Sequence, residues 1–186
     1  MTPEMMEPAG PPEVTAAPEA MAADRESERA RALLRTGLVH LRREEFSDGL
    51  AAIDAAIDAR PDMADAHAYR SSALMALSRP LEAQDEVEIA LALDPNAFAP
   101  QQKAGEMSLR LGDMSAAADH FLAAVRAARP GSPDEAAAQA GLVLARRRMK
   151  SGIDHHAVLP RRPALPGPVR SIAGRLRRAS RRAVPG

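Results

Sequence analysis

The sequence predicts an all-α solenoid, a stack of similar helix pairs, and three observations lead to this prediction. Side chains of one type recur at an interval of 34 residues, which is typical of supersecondary units stacked side by side. Hydrophobic residues make up 46% of the chain and aromatic residues only 2%, a balance that suits helix packing better than a sheet. Proline closes each predicted unit, where no helix can continue. The recurring columns are Gly37, Ser71 and Gly105; Ile53, Val87 and Phe121; and Ala56, Ala90 and Ala124.

Residues 1–26 form an acidic head that is rich in proline and alanine. Residues 1–24 contain five acids, five prolines and no base, and they show no periodic apolar face. Such a segment buries too little apolar surface to offset the entropy cost of ordering. The sequence therefore predicts that residues 1–26 are disordered.

Residues 27–152 are predicted to form the solenoid, with helix pairs at about 30–63, 64–97 and 98–131. Each second helix carries a small residue that lets two helix backbones approach closely. The bulky residue of each unit fills the space between neighbouring units. The small residues are Gly49, Ala83 and Ala117, and the closing prolines are Pro61, Pro95 and Pro130.

A seventh helix is predicted at residues 133–150 as a cap for the open end of the stack. Ser132 stands at the N-cap, Pro133 at the first helical position and Glu135 three residues after the cap. Its small and apolar residues resemble a fourth first helix, and its basic residues are predicted to face water. The apolar set is Ala137, Ala140, Gly141 and Leu144, and the basic set is Arg146, Arg147, Arg148 and Lys150.

Residues 153–186 form a basic tail that is rich in proline and arginine. Residues 169–183 place apolar side chains on one arc of a helix and arginines on the other, so they can form a short amphipathic helix. Four interpretations stay open: a tail with no partner, docking onto an acidic protein surface, an anionic membrane surface, and nucleic acid. Nucleic acid fits least well, because the tail has no aromatic side chain for base stacking. The candidate contacts are Arg170, Arg175, Arg177, Arg178, Arg181 and Arg182.

The sequence gives no support for an enzyme, a cofactor or a metal site. It contains no cysteine and neither of the glycine-rich phosphate-binding motifs. His155 and His156 follow Asp154 on a predicted linker, where adjacent side chains point apart and no second ligand cluster is near. His40 and His67 are predicted to pack at helical positions with a polar edge that reaches solvent.

The 34-residue units, with their small, bulky, alanine and proline columns, resemble the tetratricopeptide repeat (TPR) family. The resemblance covers residues 30–131 and implies a right-handed solenoid whose first helices line a concave groove for a partner. Leu34 and Leu38 occupy two positions where chaperone-binding members clamp a peptide carboxylate, so that activity is not predicted. The implied groove residues are Arg31, Leu34, Arg35, Leu38, Arg42, Asp65, Ala68, Tyr69, Ser72, Met75, Gln102, Lys103, Glu106, Leu109 and Arg110.

These features predict a non-catalytic adaptor that binds a protein or peptide through the concave groove. An apolar floor with a mostly basic fringe favours a ligand with apolar anchors and acidic flanks, and the acidic head is itself a candidate occupant. No small-molecule substrate is predicted. Three alternatives remain: a solvated helix face, a tether whose tail holds the chain to a membrane surface or nucleic acid, and an accessory subunit that docks an enzyme.

The expected location is the cytoplasm, or the inner face of a membrane if the tail binds there. No segment approaches the roughly 18 apolar residues that span a bilayer, and residues 1–24 lack the basic and apolar regions of a leader. Arginine outnumbers lysine 23 to 2, which together with the alanine content indicates a bacterial source.

Overall fold

A computed structural model describes residues 16–151, in which seven α-helices and no strands are found. The side chains of residues 16–20 and the residues outside this range are not described. The predicted head therefore lies partly, and the predicted tail wholly, outside the described residues. The helices are α1 (Ala16–Arg42), α2 (Phe46–Ala59), α3 (Ala64–Ala76), α4 (Pro80–Leu93), α5 (Phe98–Arg110), α6 (Met114–Ala127) and α7 (Pro133–Ser151).

The helices form two layers, which follow from the contacts between them. Each odd-numbered helix packs against the next even-numbered one, and α2, α4 and α6 pack against the first helix of the following unit. α1 also touches α3, α3 touches α5, and α5 touches α7, whereas α2, α4 and α6 do not contact one another. The odd-numbered helices are therefore crowded together, and the even-numbered helices are spread apart. We call the surface formed by α1, α3, α5 and α7 the concave face.

Close packing within the pairs depends on small residues, as the sequence predicted. A Cβ atom on Gly37 would lie 2.6 Å from Ile53 Cγ1, and one on Gly49 would lie 2.9 Å from Leu41 Cδ2. Phe121 is 1% exposed because two glycine-bearing helices meet it from either side. A Cβ on Gly105 would lie 2.9 Å from its ring, and one on Gly141 would lie 2.5 Å from it. A side chain at any of these glycines would force Ile53, Leu41 or Phe121 to move from its packed position.

The turn between the two helices of each unit contains one residue in the left-handed region. These residues are Glu44 (φ 62°), Ser78 (φ 59°) and Gly112 (φ 75°), and they are spaced by the same 34 residues as the packing columns. Only glycine adopts this conformation without steric cost. The repeat therefore extends to the backbone of the turns, where two units carry a residue other than glycine.

α7 begins as the sequence predicted. The Glu135 N–H donates to Ser132 Oγ (3.2 Å), and the Gly131 N–H donates to Glu135 Oε2 (2.6 Å). This hydrogen bonding satisfies two backbone donors that have no intrahelical partner at a helix start.

Two predictions about the ends of the solenoid are wrong. α1 begins at Ala16 rather than near Ser27, so part of the segment predicted to be disordered is helical. Extending an existing helix requires no new nucleus, and the alanine-rich stretch has helix propensity enough to continue it. In α7 the buried residues are Ala138, Leu142 and Ala145 instead of the predicted apolar set, of which only Gly141 packs inward, against Phe121.

Within residues 16–151, no helix combines the length and the apolar character needed to cross a membrane.

Candidate functional site

Five of the predicted groove residues meet in one depression between α3 and α5 on the concave face. The depression encloses about 220 Å³. It is lined by the predicted residues Ser72, Met75, Lys103, Glu106 and Arg110, together with Ser71, Ala76 and Met107.

Polar groups at this depression are only partly satisfied. Lys103 Nζ lies 3.0 Å from Glu106 Oε2 and 5.9 Å from the centre of the Tyr69 ring, so its charge is already engaged. Gln102 Nε2 donates to Glu106 Oε1 (3.1 Å), but Gln102 Oε1 and Ser72 Oγ are buried atoms without a hydrogen-bond partner. Buried polar atoms in folded proteins nearly always have a partner. Neither oxygen is exposed to solvent, and of the two residues only Ser72 lines the depression.

Three carboxylates act on Tyr69 in the middle of the concave face, those of Asp65, Glu106 and Asp134. Burial raises the pKa of Tyr69, and the negative charges of Asp65, Asp134 and Glu106 raise it further. Burial raises the pKa of the Asp65 carboxyl, and the charge of Asp94 adds to this effect. The middle of the concave face therefore carries both signs of charge.

The basic character is concentrated on α1. Arg31, Arg35 and Arg42 are exposed, and none of them forms an ion pair with another side chain of residues 21–151. Leu38 is partly buried beside them. Leu34 was predicted to lie on the groove floor, but it is only 9% exposed and packs with α2 and α3 residues, so it belongs to the core.

α7 extends the concave face beyond the three units for which the sequence predicted groove residues. Ala137, Ala140 and Leu144 follow Lys103, Glu106 and Arg110 by 34 residues, and all three are exposed. The signal that locates them in the sequence is the 34-residue interval, which continues from the third unit into α7. From α1 to α7 the concave face changes from basic through mixed polar to apolar.

The sequence predicted that a polar edge of His67 reaches solvent, and this prediction is wrong. His67 is buried, and both of its ring nitrogens lie within hydrogen-bond distance of an oxygen atom. Nδ1 lies 2.7 Å from Glu86 Oε2, and Nε2 lies 3.1 Å from the Pro61 carbonyl oxygen. Arg70 donates to the other Glu86 oxygen (2.7 Å) and to Asp54 Oδ1 (2.7 Å). Both ring nitrogens thus lie within hydrogen-bond distance of an oxygen atom.

The third unit repeats this arrangement with neutral side chains. Gln101 Nε2 donates to the Pro95 carbonyl, and Gln101 Oε1 accepts from His120 Nδ1 (2.8 Å). Burial lowers the pKa of His120, against the opposing influence of Asp119 and Asp113. In both units, one side chain of the first helix joins the proline carbonyl before that helix to the second helix. We call this arrangement the polar clasp.

One group in the described part of the chain has the composition of a metal site. His40, Glu45 and Asp48 bring their ligand atoms within 4.8 Å of one another at the turn between α1 and α2. His40 Nδ1 lies 2.6 Å from Glu45 Oε2, and this direct contact accounts for the cluster without an ion. His155, His156 and the predicted tail contacts lie outside the described residues.

Comparison with known proteins gives a consistent result. The family model described as tetratricopeptide repeat matches residues 16–64, 34–98 and 70–133. A solved structure titled the first TPR of Spaghetti (RPAP3) bound to the HSP90 peptide SRMEEVD is 17% identical, with a TM-score of 0.54, and the match covers 67% of this chain and 95% of that one.

The TPR domain of Sgt2 from Aspergillus fumigatus is 19% identical, with a TM-score of 0.57, and the match covers 75% of this chain and 89% of that one. At these identities the two structures support the fold alone. No match was found among curated proteins. Because the family model covers most of the solenoid in three overlapping matches, this chain belongs to the tetratricopeptide repeat family.

Proposed function

We propose that this chain is a non-catalytic adaptor that binds a peptide or a partner protein on its concave face. The observation that carries the proposal is the depression between α3 and α5, which brings the predicted groove residues Ser72, Met75, Lys103, Glu106 and Arg110 together on the concave face. Met75 offers a peptide an apolar contact there, and the charged side chains of Lys103, Glu106 and Arg110 offer it polar partners. The bound HSP90 peptide of the RPAP3 structure is consistent with this class of ligand.

The charge gradient along the concave face suggests the chemistry and direction of the ligand. Exposed arginines on α1 favour an acidic segment, and the exposed alanines and Leu144 on α7 favour an apolar one. Met75 and Met107 at the central depression suit an apolar anchor, because methionine adapts to different shapes. We therefore expect an extended or helical ligand with acidic residues over α1 and beside Arg110, and with apolar residues at the central depression and over α7.

The test is a peptide-display selection on the full chain, followed by titration of the selected peptides. Arg110→Glu reverses a charge at the rim of the depression without disturbing the core, because Arg110 is exposed. We expect it to weaken binding about tenfold, equivalent to about 1.4 kcal/mol. Met75→Glu places a charge in the depression itself and is expected to weaken binding further.

Arg126→Glu is the matched control, because Arg126 is an equally exposed arginine on α6, in the outer layer. Helical circular dichroism of each variant reports whether the fold is retained. The proposal is wrong if peptides bind but their affinity changes as much in Arg126→Glu as in Arg110→Glu.

A further inference from the structure

We infer that two copies of this chain pair through α7, with the two α7 helices antiparallel and in contact along one side. This side of α7 is apolar and faces away from α6, and we call it the end face. The pairing goes beyond the proposed function and does not rest on it. The residues of the end face are Ala136, Ala137, Ala140, Val143 and Leu144.

The end face is an apolar surface that no other described residue covers. Val143 is 65% exposed and Leu144 is 39% exposed, and α7 holds three of the five large apolar side chains that are exposed in residues 21–151. At about 100° per residue, the end face lies opposite the buried side of α7, where Leu142 and Ala145 pack with Phe121. A surface helix normally has one apolar side. α7 has two, and only one of them is packed.

The repeat shows what this side of a first helix does inside the solenoid. Two 34-residue intervals earlier, the residues that correspond to four of these positions lie on α3 and face α5. Ala68 lies in a buried cluster with Ala99 of α5, and the other three line the depression between the two helices. The end face is therefore the place where one unit meets the next first helix. The corresponding pairs are Ala68 and Ala136, Ser72 and Ala140, Met75 and Val143, and Ala76 and Leu144.

The charges of α7 favour a second, antiparallel copy as the occupant of the end face. α7 begins with two acids and ends with four bases, and none of the six forms an ion pair with another side chain of residues 21–151. Two antiparallel copies place the acidic start of each helix beside the basic end of the other. A parallel pair would set like charges against each other. The acids are Asp134 and Glu135, and the bases are Arg146, Arg147, Arg148 and Lys150.

The spacing along α7 matches small side chains to large ones when two copies cross at Ala140. A helix rises about 1.5 Å per residue, so Ala136 lies about 6 Å before Ala140, and Val143 lies about 4.5 Å after it. In an antiparallel pair, Ala136 of one copy therefore faces Val143 of the other, and Ala137 faces Leu144 in the same way. The alanines leave room for the larger side chains, and Ala140 meets its own counterpart at the two-fold axis.

The same crossing point brings opposite charges together. Asp134 lies about 9 Å before Ala140 along the helix, and Arg147 and Arg148 lie about 11 and 12 Å after it. Asp134 of each copy is therefore level with these two arginines of the other copy. The apolar contacts and the charge contacts thus require one and the same register.

The basic tail of the chain is less suited to the end face than a second copy. Residues 153–186 contain eight arginines and one acid, so their charge has the same sign as the basic end of α7. A tail that covers the end face would leave the chain monomeric, which makes the two occupants distinguishable.

The pairing is expected to be reversible, because a contact between two single helices lies at the small end of specific interfaces. It places two concave faces in one particle, so a partner with two binding segments would bind with increased avidity. Ala140 and Leu144 also border the concave face, so a ligand segment over α7 would compete with the second copy. These two consequences depend on the proposed function, but the pairing itself does not.

Sedimentation velocity of the full chain without any ligand tests the pairing. We expect the average mass to rise from that of a monomer to that of a dimer as the protein concentration increases. Ala140→Glu places two carboxylates together at the two-fold axis and should weaken the dimer at least about tenfold. Ala51→Glu is the matched control, because Ala51 is an exposed alanine on α2 in the outer layer, and it should leave the dimer unchanged. Helical circular dichroism reports whether each variant is folded.

A charge exchange tests the antiparallel register. Asp134→Arg alone, and Arg147→Glu combined with Arg148→Glu, should each weaken the dimer, because each sets like charges against each other in both contacts of the pair. A mixture of the two variants should dimerise again, because both contacts then join opposite charges.

Three results would overturn the inference. A chain that stays monomeric up to about 1 mM has no such pairing. Equal weakening by Ala51→Glu and Ala140→Glu would place the interface elsewhere, and a mixture that dimerises no better than its two components would exclude the antiparallel register. None of these measurements contains a peptide ligand, so the pairing and the proposed function can fail independently.

Discussion

The second and third repeats build the same polar clasp from different chemistry. In the second, His67 joins the Pro61 carbonyl to Glu86, and Arg70 makes the site ionic. In the third, Gln101 joins the Pro95 carbonyl to His120, and a buried alanine replaces the arginine. The first repeat has Leu33 and Ala52 at the corresponding positions and therefore has no clasp.

The two repeats therefore share the geometry of the clasp but not the types of residue that form it. The requirement is a donor for the proline carbonyl at the end of one unit and a partner for that donor on the second helix of the next. Loss of one charged member of a buried ionic clasp should lower the free energy of unfolding strongly, because it leaves an uncompensated buried charge. A neutral clasp loses only the hydrogen bonds that are broken.

The largest expected effect is at Glu86. Glu86→Gln removes the charge between His67 and Arg70, and we expect it to lower the free energy of unfolding by about 3 kcal/mol, the scale for breaking a buried ion pair. Urea denaturation followed by helical circular dichroism measures it. Glu82→Gln on the same helix is the control: its pair with Arg79 is exposed, so its change should be much smaller. A similar fall in the free energy of unfolding of both variants would mean that burial of the clasp does not increase its contribution to stability.

The sequence predicted the helix pairs, their small residues and their closing prolines, because these repeat along the chain at one interval. The clasps could not be predicted in the same way, since His67 and Glu86 are 19 residues apart and the third member is a backbone carbonyl. The predicted groove residues included Ser72 and Lys103, which line the depression, but the sequence did not predict the burial of Leu34. That burial depends on how α1 packs against α3 at the end of the stack, where no preceding unit fixes its orientation.

Gln101 gives the second-largest expected effect. Gln101→Leu leaves the Pro95 carbonyl and His120 Nδ1 without partners, and we expect a loss of about 1–2 kcal/mol in the free energy of unfolding. Gln139→Leu is the control, because Gln139 is exposed on α7 and bonds only to Glu135 in the same helix. If Gln101→Leu destabilises the protein as much as Glu86→Gln, the contrast between a neutral and an ionic clasp is wrong.

The turns of the second and third repeats also differ, and here the third repeat has the residue better suited to its backbone conformation. Ser78 and Gly112 both have a positive φ, and only the third repeat uses glycine there. We expect Ser78→Gly to raise the free energy of unfolding by up to about 1 kcal/mol, because relief of the left-handed strain exceeds the added chain entropy. Gly112→Ser should lower it by a similar amount. Thermal unfolding of the two variants and of the double exchange checks this, and an unchanged midpoint for both single variants would contradict it.

The smallest expected effect is the pH dependence that His120 contributes to stability. Burial lowers its pKa, so folding disfavours the charged ring. Above about pH 6.5, the ordinary histidine value, the ring is neutral in both the folded and the unfolded chain, and the stability is complete. As the pH falls below that value, the unfolded chain takes up a proton before the folded chain does, and stability is lost until the folded pKa is passed. His120→Gln keeps a donor for Gln101 but cannot titrate, so its free energy of unfolding should fall less than that of the parent between pH 7 and 5. If the free energies of unfolding of His120→Gln and of the parent change with pH in parallel, protonation of His120 does not affect the clasp of the third repeat, and burial does not hold its ring neutral.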